Sequence, residues 1–134
     1  MADSASPKKI VSAPEAVPPL PVFSQAVISK GFVYLSGNIG CDNNLKVVEG
    51  GIVAETRAAL ENITKILQAS GTSLANVVKV NIYLSNFDRD FVPMNEVYLK
   101  FFGTDSPPAR TCVGVAALPL KANVEIECVA ALPN

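Results

Sequence analysis

One stretch in the middle of the chain alternates so regularly that it admits a single backbone conformation. From Asn76 to Leu84, Val78, Val80, Ile82 and Leu84 fall on one side, and Val77, Lys79, Asn81 and Tyr83 on the other. A period of two belongs to a β-strand, here with one apolar and one amphipathic face. On both sides of it the period changes. Ile52, Thr56, Ala59, Leu60, Ile63, Ile66 and Leu67 recur at helical spacing, Glu55, Arg57, Glu61, Asn62 and Lys65 fill the remaining positions, and Gly71 supplies a stop. Downstream, Phe91, Met94, Val97, Tyr98, Phe101 and Phe102 form the stripe of a second helix over Phe91–Phe102. Asp88 and Asp90 are its capping candidates, and Pro93 is tolerated because it falls in the first turn. Asn95 lies beside the stripe, placed either to cap a neighbouring backbone or to meet a ligand.

The rest of the chain reads as shorter strands. Ala26–Ser29 and Phe32–Ser36 flank Lys30-Gly31, a two-residue hairpin loop. Thr111–Ala117 and Val124–Leu132 flank Leu118–Asn123, which predicts a second hairpin. It would place Arg110 opposite about Ala131 and Glu125 opposite about Ala116, roughly 20 Å apart. The order β-β-α-β-α-β-β predicts an α+β sandwich, a mixed β-sheet with two helices on one face. Two helices cover only one face, so the other calls for a partner chain. Residues 1–9 read as a flexible polar tail and 10–134 as a single domain.

Composition narrows the functions. Hydrophobic residues are 49% and charged residues 17% of the chain, more apolar surface than a monomer of 134 residues readily hides. A net charge of −1 supplies no basic field for nucleic acid. There is no histidine, which excludes Ser-His and Cys-His dyads and histidine-containing metal sites. Cys41, Cys112 and Cys128 lack metal or CxxC spacing and read as reduced thiols. No apolar run approaches the roughly 20 residues of a membrane span. The opening segment, broken by Pro7, Pro14, Pro18 and Pro19 and without arginine, does not read as a signal or transit peptide, so the expected location is cytoplasmic.

The chemistry concentrates at Ser106-Pro107-Pro108-Ala109-Arg110-Thr111-Cys112-Val113-Gly114-Val115. Two prolines stiffen the lead-in and deliver Arg110 to the mouth of a strand that reads as buried. Its guanidinium either forms a structural salt bridge or grips a ligand carboxylate through two parallel hydrogen bonds. Ser36-Gly37 leaves its strand either as an ordinary turn or as a close approach to a ligand.

Together with Phe23-Ser24-Gln25-Ala26, Leu35-Ser36-Gly37, Val78-Lys79-Val80, the Asn95 helix and Val124-Glu125-Ile126-Glu127, that stretch resembles the YjgF/RidA family of reactive imine/enamine deaminases. The resemblance runs from about Ile10 to Ala131. It implies a chorismate-mutase-like fold, a homotrimer with sites in the clefts between subunits, and hydrolysis of 2-aminoacrylate-type enamines and imines to 2-keto acids and ammonia. No metal or cofactor is implied. Carried over by position, Arg110 holds the carboxylate and Glu125 orients the attacking water. The main chain around Cys112 faces the imine or keto end, Ser36 and Gly37 line the pocket, and Asn95 shapes it. Phe23 departs from the family, whose deaminating members usually have tyrosine there; the lost hydroxyl is worth about 1 kcal/mol if it meets substrate. Glu127, on the same side of the strand, is the alternative carboxylate. Cys112 as a nucleophile and Lys79 as a Schiff-base lysine are weak candidates. Two other functions stay open: an endoribonuclease or translation inhibitor of the same family, and a non-catalytic binder of small carboxylates or client proteins.

Overall fold

The computed structural model describes residues 7–134; residues 1–6 of the expected tail lie outside the described residues. The elements are β1 (Lys9–Val11), β2 (Ala26–Ser29), β3 (Phe32–Leu35), β4 (Asn38–Ile39), α1 (Gly51–Ala69), β5 (Val77–Leu84), α2 (Phe87–Phe102), β6 (Ala109–Gly114) and β7 (Val124–Ala131). One sheet runs β1-β2-β3-β7-β5-β6, with β4 also laid against β7. Lys30 and Gly31, with φ of 55° and 85°, make the β2–β3 hairpin with both loop residues left-handed, as a tight two-residue turn requires.

The second hairpin does not form. β6 lies parallel to β5, while β7 is inserted antiparallel between β3 and β5. A parallel neighbour needs a crossover, and α2 supplies it between β5 and β6. The most completely alternating strand, β7, then takes the centre, burying Val124, Ile126, Cys128 and Ala130. β6, read from sequence as buried, is a sheet edge with mostly exposed side chains.

Three smaller differences have local causes. A bulge between Val77 and Lys79 flips the alternation at the start of β5, so Val77 is buried and Val78 exposed. α2 starts a turn earlier than expected, capped by Asn86, whose Oδ1 accepts from the Arg89 amide at 3.3 Å. Pro93 therefore sits in the helix interior and withholds a hydrogen bond from the Arg89 carbonyl. Asp90 does not cap; it is buried and receives two hydrogen bonds from the Arg89 side chain at 2.8 and 2.9 Å.

Both helices pack on one sheet face around Leu60, Ile63, Ile82, Met94 and Ile126. On α1, Glu55 and Asn62 are buried, contrary to their assignment outside the apolar face. Each spends its polarity on a loop. Glu55 accepts from the Asn123 amide at 2.8 Å and its side chain at 2.5 Å. Asn62 accepts from the Val17 amide at 2.7 Å and donates to Asn38 Oδ1. These bonds tie the segments at both ends of the eventual site to one helix.

α1 also packs closely on the chain after β4. A Cβ at Gly40 would collide with the backbone of Glu55, which cannot turn aside as a side chain does. Gly40→Ala is therefore expected to destabilise the protein by about 3 kcal/mol. Chemical denaturation checks this, and a change within about 0.5 kcal/mol would count against such close packing.

Candidate functional site

The residues singled out from sequence fall into two groups. The first surrounds a pocket of about 660 Å³ lined by Phe23, Ser36, Gly37, Asn38 and Glu125, with an apolar floor from Ile39 and Ile66. Buried amides build its polar wall. Gln25 binds the Ala13 amide at 2.7 Å and donates to the Ala13 and Val17 carbonyls at 3.1 and 2.9 Å. Ser36 Oγ donates to the Ser24 carbonyl at 2.6 Å, so this hydroxyl secures the two strand ends to each other. Phe23 is 44% exposed, so it stands at the pocket edge and not in a closed core.

Glu125 is the ionisable residue of this group. It lies on the sheet face away from the helices, because Val124 and Ile126 turn inward and strand side chains alternate. A Cβ at Gly37 would come to 2.5 Å from Glu125 Oε2, so glycine there leaves the carboxylate its space. Burial, and secondarily the negative charge of Glu127, push the Glu125 carboxyl above the usual carboxylate range. Among the described residues Glu125 accepts no hydrogen bond. Glu127 is spent differently: its Oε2 accepts from Asn81 Nδ2 at 3.0 Å and Tyr83 Oη at 3.1 Å. Of the two carboxylates, the unpartnered Glu125 is the one free to take a proton.

The second group lines a pocket of about 350 Å³ formed by Asn95, Tyr98, Gly103, Thr104, Pro108 and Arg110. Arg110 Nη1 donates to Asn95 Oδ1 at 2.6 Å, and the guanidinium lies 4.8 Å from the Tyr98 ring centre and 5.9 Å from that of Phe91. Among the described residues no carboxylate pairs with it. Asn95 orients one nitrogen, aromatic faces support the plane, and most of its five donors are left over. Among the described residues, the Tyr98 hydroxyl, also in this wall, is buried without a hydrogen-bond partner.

Cys112 follows Arg110 on the same side of β6. Burial pushes its thiol up while Arg110 pulls it partly back, so it is mostly protonated at neutral pH and poorly suited to attack. Because β6 is an edge, part of its main chain has no strand partner and is available to a ligand. Lys79 donates to Thr111 Oγ1 at 2.7 Å on the opposite sheet face.

The two groups do not meet within one chain. Arg110 pairs with Val80, which pairs with Cys128, so Arg110 faces the helices while Glu125 faces away. Their backbones are separated by about 10 Å along the strands and about 10 Å across them. The helix-free face also exposes Phe32, Tyr34 and Val113. Among the described residues, no helix is long and apolar enough to cross a membrane.

The chain is a small α+β sandwich carrying two pockets, one lined by the acidic Glu125 and one by the basic Arg110, each large enough for a small carboxylate. Comparison with known proteins makes the class specific. The chain is 46% identical over 126 residues to "2-iminobutanoate/2-iminopropanoate deaminase" of Dermatophagoides farinae, covering 92% of this chain and 96% of that protein. It is 41% identical over 124 residues to "Protein MMF1, mitochondrial" of Saccharomyces cerevisiae, covering 92% and 84%. Among solved structures, E. coli TdcF with bound serine superposes with a TM-score of 0.85 at 30% identity, covering 93% of this chain and 99% of that one. The sequence profile described as endoribonuclease L-PSP matches residues 13–132, and the chain belongs to that family, the YjgF/RidA family. Because a mitochondrial protein is among the relatives, membership does not place the chain in the cytoplasm.

Proposed function

We propose that the protein hydrolyses reactive 2-imino acids, and enamines that tautomerise to them, to 2-keto acids and ammonia. The observation that carries this reading is the separation of an unspent Arg110 and an unpartnered Glu125 onto opposite faces of one sheet. Each copy then contributes half of a site: Arg110, Asn95 and the main chain at Cys112 from one, Glu125, Gly37, Ser36 and Phe23 from its neighbour. The exposed apolar residues on the helix-free face support burial against other copies, and a homotrimer with three such clefts is the proposed assembly. The relative from Dermatophagoides is named for acting on 2-imino acids, and the serine held by TdcF likewise carries a carboxylate beside a nitrogen-bearing carbon.

In this site the guanidinium fork holds the substrate carboxylate and fixes C2 near Glu125. Water attacks C2 of the protonated imine, Glu125 takes one proton from that water, and the C=N electron pair moves to the nitrogen, giving a neutral carbinolamine. Glu125 then returns a proton to the nitrogen of the carbinolamine. The C–N bond breaks, ammonia leaves with the bonding pair, and as C=O forms the hydroxyl passes its proton to Glu125, which releases it to the ammonia or to solvent. One water is consumed for each ammonia released. A carboxylate held above its usual range suits a group that must both take and return this proton.

Glu125→Gln separates catalysis from stability. A carboxyl whose pKa is raised by folding binds more protons folded than unfolded, so its contribution to stability falls as pH rises through that window. Glutamine removes this penalty. The variant is expected to melt no lower than the parent at neutral pH, yet lose most turnover. In the parent, turnover rises with pH along a limb above the ordinary carboxylate range. A Glu125→Gln protein with parental rates would remove Glu125 from the mechanism.

The direct test is ammonia release from an imine generated in place, with and without the protein. RNA cleavage, the activity in the family's description, is less well supported, since a net charge of −1 offers little for phosphate backbones. RNA cleavage without ammonia release would reverse that order; retained carboxylate binding with neither activity would favour the non-catalytic binder.

A further inference from the structure

We infer that Leu45 and Leu120 form an apolar subsite that selects 2-imino acids with large aliphatic side chains over those with a methyl or ethyl group; this rests on the imine-hydrolase reading above. Among the described residues four non-glycine positions have positive φ, and two of them are these leucines, with φ of 60° and 55°. Left-handed backbone is disfavoured for a bulky side chain, and glycine or asparagine is its ordinary occupant. Both leucines nevertheless line the same pocket, the one that holds Glu125 and Gly37. Backbone outliers gathered at one cavity point to a use for the side chains they carry.

Each leucine is held by a tight turn. Around Leu45, Asp42 Oδ1 accepts from the amides of Asn44 and Lys46 at 2.9 and 3.0 Å, while the Leu45 amide donates to the Asp42 carbonyl at 3.0 Å. Leu120 and Lys121 are both left-handed in a turn closed by the Ala122 amide on the Pro119 carbonyl at 3.0 Å. Behind that turn, Asn123 is tied to the buried Glu55. The apolar rim is thus preformed and needs no rearrangement to receive a side chain. Leu20 and Phe23 continue it in the same pocket. Glu125 in the same cavity lets one ligand place C2 at the carboxylate and its side chain against the leucines.

The test compares imines generated by an amino-acid oxidase from alanine and from leucine, reading kcat/KM from the imine escaping to semicarbazide. Calorimetry of pyruvate and 4-methyl-2-oxopentanoate binding runs beside it. The leucine-derived imine is expected to be favoured about tenfold or more, as apolar pockets discriminate by such factors per methylene. Leu120→Gly and Leu45→Gly, which accept the left-handed backbone, are each expected to reduce that ratio several-fold with melting temperatures that show a folded protein. Equal kcat/KM for both imines with equal keto-acid affinity overturns the subsite while leaving the hydrolase reading standing. A binding preference for the larger keto acid without turnover of either imine upholds the subsite and overturns the hydrolase reading. A preference that survives both glycine variants in folded protein overturns the assignment to these leucines.

Discussion

Arg110→Lys is expected to lower kcat/KM for imine hydrolysis about a hundredfold, close to the loss from Arg110→Ala, which corresponds to about 2.7 kcal/mol of transition-state stabilisation. Lysine keeps the charge. It loses the planar fork that meets both carboxylate oxygens while a further nitrogen stays on Asn95 Oδ1 at 2.6 Å. It also loses the guanidinium's place over the Tyr98 ring, 4.8 Å from the ring centre. Without those constraints the substrate pivots about a single contact, and C2 leaves the reach of the carboxylate. Stability is expected to change by no more than about 1 kcal/mol, since the side chain is half-exposed and spends one hydrogen bond on the fold. Kinetics and thermal melts on the same preparations separate the two effects. Parental turnover in the lysine variant would show that Arg110 is not the carboxylate anchor.

Mixing two inactive variants, Arg110→Ala and Glu125→Ala, is expected to restore activity from background to about a quarter of the parental value. Around a ring of three copies, each mixed trimer has one cleft with both parental residues, and random equal mixing makes about three quarters of trimers mixed. The reason to expect recovery is the register: Arg110 is level with Cys128 and on the opposite face from Glu125, so no single chain offers both to one small molecule. Recovery requires reversible dissociation before mixing and mass spectrometry to verify the mixed species. Background activity in verified mixed trimers would sink the shared site. Activity in either variant alone would remove the corresponding residue from the mechanism.

The amino-acid sequence by itself determined the local structure wherever one physical signal dominated. The periods of 3.6 and 2 placed both helices and β5, and Lys30-Gly31 placed the first hairpin, because each depends only on neighbours along the chain. Seven residues were singled out through the family motifs: Phe23, Ser36, Gly37 and Glu125 line one pocket and Asn95 and Arg110 the other, while Cys112 is not among the lining residues of either. Strand partnership was not legible. Leu118–Asn123 has the length of a hairpin loop, yet the α2 crossover sets β6 beside β5 and leaves the centre of the sheet to β7. Nor could periodicity find Glu55 and Asn62, polar residues buried because distant loop amides need their oxygens. The backbone of Leu45 and Leu120 was equally hidden, since leucine carries no sequence signal for left-handed conformation. Only the tertiary structure decided that Arg110 and Glu125 face opposite ways, because that depends on which strand lies between them.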